Sequence, residues 1–221
     1  MTAARSPRVH PYGDGEFMLA YGPQDGPQIL ILQPLFEEMN RCRATIAGVC
    51  RTLAGRTIGC WLPDLPGTGE SLRALDAVAW EDWLAAVEAA AATIREETDT
   101  PPVTLAIRGG ALLDHRAGPK RLRLAPTTGR SLLSDLRRSA LASGSDPAHP
   151  AGYTLSPALM EALSAAEPST VGDIRTLRLV SDDRPADHRI AGTPLWRRPE
   201  PATDPDMAAV LVDEISSWAM P

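Results

Sequence analysis

The stretch Leu105-Ala106-Ile107-Arg108-Gly109-Gly110-Ala111-Leu112-Leu113 (LAIRGGALL) opens on apolar residues, breaks at two glycines and closes on a second apolar group. A short continuous apolar run reads as a strand covered on both faces. The glycine pair punctuates it, and the residues beyond read as a short helix, GALLDHRAG. Arg108 therefore stands at the point of a tight strand-to-helix turn.

Outward from this turn the same alternation repeats. Ile29 to Pro34 (ILILQP) and TIGCWLPDL are earlier buried strands, and LFEEMNRCRATIAGVCRTLAGR between them is a helix with Met39, Cys42, Ile46, Val49, Cys50 and Leu53 at helical spacing. WEDWLAAVEAAAATIREET is a helix with Trp80, Trp83, Leu84, Val87 and Ile94 on one side. Downstream, RLRLAPTTG and TLRLVSDD read as strands and GTPLWRRPEP as a sixth. RSLLSDLRRSALAS, SPALMEALSAA and DPDMAAVLVDEISSWA read as helices, with Ser156 as an N-cap. Residues 1 to 27 read as extended and turn-rich, with FMLAYG as an edge strand, and residues 143 to 153 as loop.

Strands alternating with helices predict an α/β fold: a mostly parallel sheet with helices on both faces. Ligands of such sheets bind beyond the carboxyl ends of the strands. That directs attention to Gln33–Asn40, Asp64–Ser71, Arg108–Gly110, Thr127–Arg130 and Ser181–Arg184. The 221 residues suit one domain over 1–221, with 1–14 as a loose N-terminal segment and 143–168 as a reduced cap or connector.

The net charge of −6 argues against nucleic acid or an anionic membrane as partner. No apolar run approaches the ~18 residues of a spanning helix, and the first residues lack the apolar core of a signal peptide, so a cytoplasmic protein is expected. Three cysteines, Cys42, Cys50 and Cys60, without a CxxC pair, agree. His10, His115, His149 and His188 show no metal-ligand spacing, so neither metal nor cofactor is expected.

The order of elements, the loop Asp64 to Ser71 (DLPGTGES, of the form DxxGxGxS) and the turn at Arg108 together resemble the α/β-hydrolases over roughly residues 12 to 218. More narrowly, QPLFEEMNRCR and GCWLPDLPGTGES resemble the type 2 branch of the exosortase-A-system-associated hydrolases. The resemblance implies a reduced-cap α/β-hydrolase and an association with extracellular polysaccharide and surface-protein sorting in bacteria. It also implies that residues 106–110 stand where the family has its nucleophile elbow, G-x-S-x-G.

Such an elbow works because a serine sits on a strained turn between small neighbours, with the next backbone N–H contributing to an oxyanion hole. Here Ala106 and Gly110 supply the small neighbours and Gly109 the N–H, but Arg108 replaces the serine. A guanidinium remains protonated and cannot attack a carbonyl carbon. Asp182 and Asp183 occupy the candidate acid position, yet the segment WRRPEPATDP, where the base should lie, has no histidine. His188 reads as a surface loop residue, Ser71 as part of the glycine turn, and Ser131 and Ser181 lack an evident base.

Arg108 and Gly109, with Leu35, Glu37, Glu38 and Asn40 of the loop opposite, form the candidate ligand site. Either this pocket takes an anionic, acyl or carbohydrate-related small molecule or a protein partner, or a glutamate pairs with Arg108 and plugs it. An ester or thioester hydrolase with non-standard groups is the alternative. Asn40 could cap the loop or line the pocket. Trp61, Trp80 and Trp83 read as packing, and Glu70 as solvated.

Overall fold

The computed structural model describes residues 6–143 and 152–219. Among them, eight strands form one sheet: β1 (Arg8–Tyr12), β2 (Glu16–Tyr21), β3 (Gln28–Leu32), β4 (Gly59–Pro63), β5 (Val103–Ile107), β6 (Lys120–Leu124), β7 (Asp173–Leu179) and β8 (His188–Ile190). Their order is β1-β2-β4-β3-β5-β6-β7-β8. β1 and β2 pair antiparallel, as do β2 and β4, and every other pairing is parallel. Five helices cover the sheet: α1 (Glu37–Gly55), α2 (Trp80–Thr98), α3 (Gly129–Ser143), α4 (Pro157–Ala165) and α5 (Pro205–Ala219).

The apolar strands lie where both faces are covered. β3 and β4 are buried at every residue, and β5 from Thr104 onward. Against one face, α1 and α5 pack Ile46, Val49, Leu53, Leu211, Val212 and Ile215. Against the other, α2, α3 and α4 pack Trp83, Val87, Ile94, Leu132, Leu136 and Leu159. Each fully buried side chain of this size contributes roughly 1.5–3 kcal/mol relative to exposure. Trp83 and Trp61 are core residues, their indole N–H groups donating to the Pro66 carbonyl and to Gln28. Trp80 packs edge-on against Trp83.

Cys42, Cys50 and Cys60 are free and buried under α1. No described helix is long and apolar enough to cross a membrane, and no cluster of metal-ligating side chains occurs among the described residues.

Several local expectations need correction. The segment read as loose contributes β1, because Arg8–Tyr12 finds an antiparallel partner in β2. FMLAYG is thus the second strand, with β1 outside it. The residues after Ile107 form two 3-10 turns, Arg108–Leu112 and Asp114–Arg116, not an α-helix. The last strand is His188–Ile190; the stretch read as a sixth strand instead forms a 3-10 turn, Leu195–Arg197. His188 is accordingly a strand residue, its ring bonded to Glu214 of α5. The loop read at 143–153 falls mostly outside the described residues, as does His149; within the proposed connector, Pro157–Ala165 is helical.

β6 carries an unexpected interior. Arg121 and Arg123 are buried with Asp114, whose two carboxylate oxygens accept from both guanidiniums at 2.6 to 3.1 Å.

Candidate functional site

β5 delivers the chain to the carboxyl edge of the sheet in extended conformation at Ile107, and the next residue, Arg108, turns to φ 54°. Only the left-handed region reverses the chain this tightly, and a non-glycine residue there is strained. The following glycines are needed sterically. A Cβ on Gly110 would lie 2.5 Å from the Leu32 carbonyl oxygen and 2.8 Å from that of Gln33. One on Gly109 would press on Leu132 and Leu35 at 3.0 and 3.1 Å. The chain thus makes a tight, glycine-dependent reversal at the end of β5, bracketed by the loop after β3, where Phe36 also takes a positive φ of 59°.

The Arg108 side chain is almost wholly buried. Its Nε donates to Glu38 Oε2 at 3.0 Å and its second terminal nitrogen to Glu38 Oε1 at 2.9 Å, a two-point pairing. The remaining contacts are longer: the Ala125 carbonyl at 3.4 Å and Asp135 of α3 at 3.4 Å. Trp196 covers the guanidinium, its ring centroid 5.2 Å away, near enough for cation–π attraction. Glu38 is buried as well. Burial pushes its carboxyl above the usual carboxylate range, against the opposing pull of the Arg108 hydrogen bonds and charge. A glutamate of α1 thus supplies the counter-charge to the cation at the turn.

Of the other expected residues, Leu35 and Glu37 line a cleft of about 440 Å³ with Glu38, Arg41, Asp135 and Trp196. Glu37 accepts from the Tyr153 hydroxyl at 3.1 Å. Asn40 lies exposed within α1, three residues past its start, and lines neither this cleft nor the one described next. Asp182 and Asp183 line a second cleft, of about 300 Å³, on the other side of Arg108. Asp182 is bonded to Arg178 and Arg184, which hold its carboxyl well below the usual range, Arg184 first. Ser71 is structural: it accepts from the Gly67 N–H and donates to Glu16. Glu70 is exposed. Among the described residues, no histidine lines either cleft.

Sequence reasoning missed Asp135, Arg178 and Trp196, while Thr127, which lines the smaller cleft, falls in the stretch Thr127–Arg130 to which it pointed. Trp196 alone left a signal: it heads the segment in which a base was sought, and the Arg41 side chain holds its carbonyl at 3.0 Å. The other two come to Arg108 and Asp182 only through the packing of α3 and β7.

The overall fold is shared with solved structures. A putative hydrolase from Agrobacterium vitis S4 is similar over 98% of this chain and 100% of its own, with a TM-score of 0.60 and 15% identity. The fold is that of the α/β-hydrolases. Alpha/beta hydrolase domain-containing protein 10 from mouse covers 96% of this chain and 98% of its own at TM-score 0.58 and 12% identity. The thioesterase domain from the curacin biosynthetic pathway covers 96% and 100% at TM-score 0.56 and 15% identity. At such identities the likeness carries the α/β-hydrolase architecture alone. No family model matches the chain, and no curated protein matches it.

Proposed function

We propose that this α/β-hydrolase-fold protein binds a ligand at the carboxyl edge of its sheet and does not form an acyl-enzyme. One observation supports this above the rest: the position of attack holds Arg108, locked two-point onto Glu38. A guanidinium has no lone pair free for acylation, and loss of the nucleophile leaves only the modest catalysis of an oxyanion hole and binding. The two clefts that flank the pair, sharing Asp135, Arg138, Trp196 and Arg197, are the room left for a small molecule. An anionic, acyl or carbohydrate-related ligand suits their mixture of arginines, carboxylates and hydroxyls; a protein partner reaching the same edge is the other form of this reading. The stretches Gln33–Arg43 and Gly59–Ser71 support placing the chain beside the exosortase-associated type 2 hydrolases, in the cytoplasm of a cell that exports polysaccharide or sorts surface proteins.

The retained elbow backbone favours a second reading, an ester or thioester hydrolase that activates water without a serine. One experiment separates them. Purified protein is incubated with a fluorophosphonate probe and, separately, with short-chain p-nitrophenyl and thioester substrates. The binding reading expects no covalent label and no turnover above buffer. Turnover that resists the phosphonate and disappears in Arg108→Ala would establish the second reading. A stable phosphonyl adduct on any serine near residues 108–110 would end the first.

A further inference from the structure

We infer that the smaller cleft, on the Asp182 side of Arg108, is a site for one acidic sugar ring, an inference that rests on the non-hydrolytic reading above. Its walls come from the loop after β6 (Thr127), the start of α3 (Ser131, Asp135), the loop after β7 (Ser181, Asp182, Arg184) and the turn bearing Trp196 and Arg197. At about 300 Å³ it lies at the lower end of the ~300–1,000 Å³ range of ligand pockets, room for a ring and not for a chain.

Thr127 is the informative residue. It is 3% exposed and lines the cleft, yet its hydroxyl has no hydrogen-bond partner among the described residues, whereas the neighbouring Thr128 hydroxyl bonds Ser131. That hydroxyl opens on the cleft, where a ligand oxygen can take the place of water as its partner. Thr127 also lies two residues before the fifteen-residue helix α3, whose first turn lines the same cleft through Ser131 and carries the positive end of the helix dipole.

The charges favour a ligand that both accepts and donates. Asp182 is shared by Arg178 and Arg184, and Asp135 by Arg108 and Arg138. Arg197 on the rim has no carboxylate partner among the described residues. With Glu38 counted against Arg108 and Asp183 included, five guanidiniums (Arg108, Arg138, Arg178, Arg184 and Arg197) face four carboxylates, leaving one positive charge that a ligand carboxylate or phosphate would balance. A bare anion has only acceptors and would meet Asp183 unfavourably. Ring hydroxyls donate to that carboxylate and accept from arginine and threonine, so the acid group and the hydroxyls of one ring match what the walls offer.

Calorimetric titration of the full chain tests this with five probes: glucuronate, glucose 6-phosphate, glucose, inorganic phosphate and serine. Glucuronate or glucose 6-phosphate should bind saturably and at least tenfold more tightly than the other three; which of the two binds distinguishes a uronic from a phosphorylated sugar. Thr127→Val, which keeps the shape, and the surface change Arg197→Ala should each weaken that binding about tenfold, with Tm held by Arg197→Ala. The inference falls if neither acidic sugar binds saturably, if phosphate or serine binds as well, or if affinity is the same in both variants. Phosphonate labelling of the same sample tests the underlying reading separately: an unlabelled protein that ignores sugars refutes the sugar site alone.

Discussion

Arg108 combines two costs, a left-handed backbone and a buried cation, and a non-glycine residue in that region costs on the order of 1–3 kcal/mol. Glu38 offsets the second by meeting the guanidinium at two points. Removing either partner leaves a buried charge alone, which costs about 3–5 kcal/mol. Arg108→Ala and Glu38→Ala should therefore each lower urea-unfolding stability by that order. The double change Arg108→Met with Glu38→Leu should recover much of the loss, since a packed apolar pair of similar volume can replace a buried ion pair. Equal stability of Arg108→Ala and the parent would mean that the pair contributes nothing. Arg108→Ser restores an attacking oxygen but should show no p-nitrophenyl ester turnover, because no histidine lines the adjoining clefts among the described residues. The pairing of Arg108 with a glutamate was legible as one of two readings, because a cation at a tight turn must find a counter-charge. Asp135 was not, and Trp196 only as the head of a segment with no contact assigned to it, because α3 and the turn after β8 reach Arg108 only in three dimensions.

At the level of elements, helices meet where side chains are missing. Gly129 opens α3 directly against the end of α4: a Cβ there would lie 1.7 Å from the Leu163 carbonyl oxygen, and the Gly129 N–H donates to the Ala166 carbonyl at 3.0 Å. Gly48, within α1, has open space on its Cβ side. Opposite outcomes are expected from the same substitution. Gly129→Ala should destabilise by about 1–3 kcal/mol or more, since the strain falls on backbone. Gly48→Ala should stabilise by roughly 0.5–1 kcal/mol through helix propensity. Denaturant titrations of both variants decide it, and a gain for Gly129→Ala would contradict the close approach of α3 and α4. Helices were the better-read elements: α1 buries Cys42, Ile46, Val49, Cys50 and Leu53 at the spacing expected. Short strands fared worse. Three residues suffice for β8 because β7 supplies a ready edge, and no local pattern marks such a strand.

Over the whole molecule, the mostly parallel sheet follows from buried apolar runs alternating with amphipathic helices, a pattern carried by the entire chain and therefore readable from it. Interior charge breaks that logic: RLRL looks half polar, yet Asp114 lets Arg121 and Arg123 enter the core. Acid stability is also a property of the whole. Asp182 has its pKa lowered from an ordinary 3.8, chiefly by Arg184. A lowered carboxylate pKa adds stability that is complete above the unfolded value and is lost as pH falls below it through the folded value. The Tm gap between the parent and Asp182→Asn should thus be widest above about pH 5 and shrink on acidification; a gap that widens toward acid would reverse the sign. Finally, the sulfurs of Cys42, Cys50 and Cys60 are sealed beneath α1, and burial drives the Cys42 thiol up to about 12. An aromatic disulfide reagent added to the native protein should find nothing to react with until a molecule opens, so the slow growth of its colour would clock that opening, without any label having been engineered into the chain.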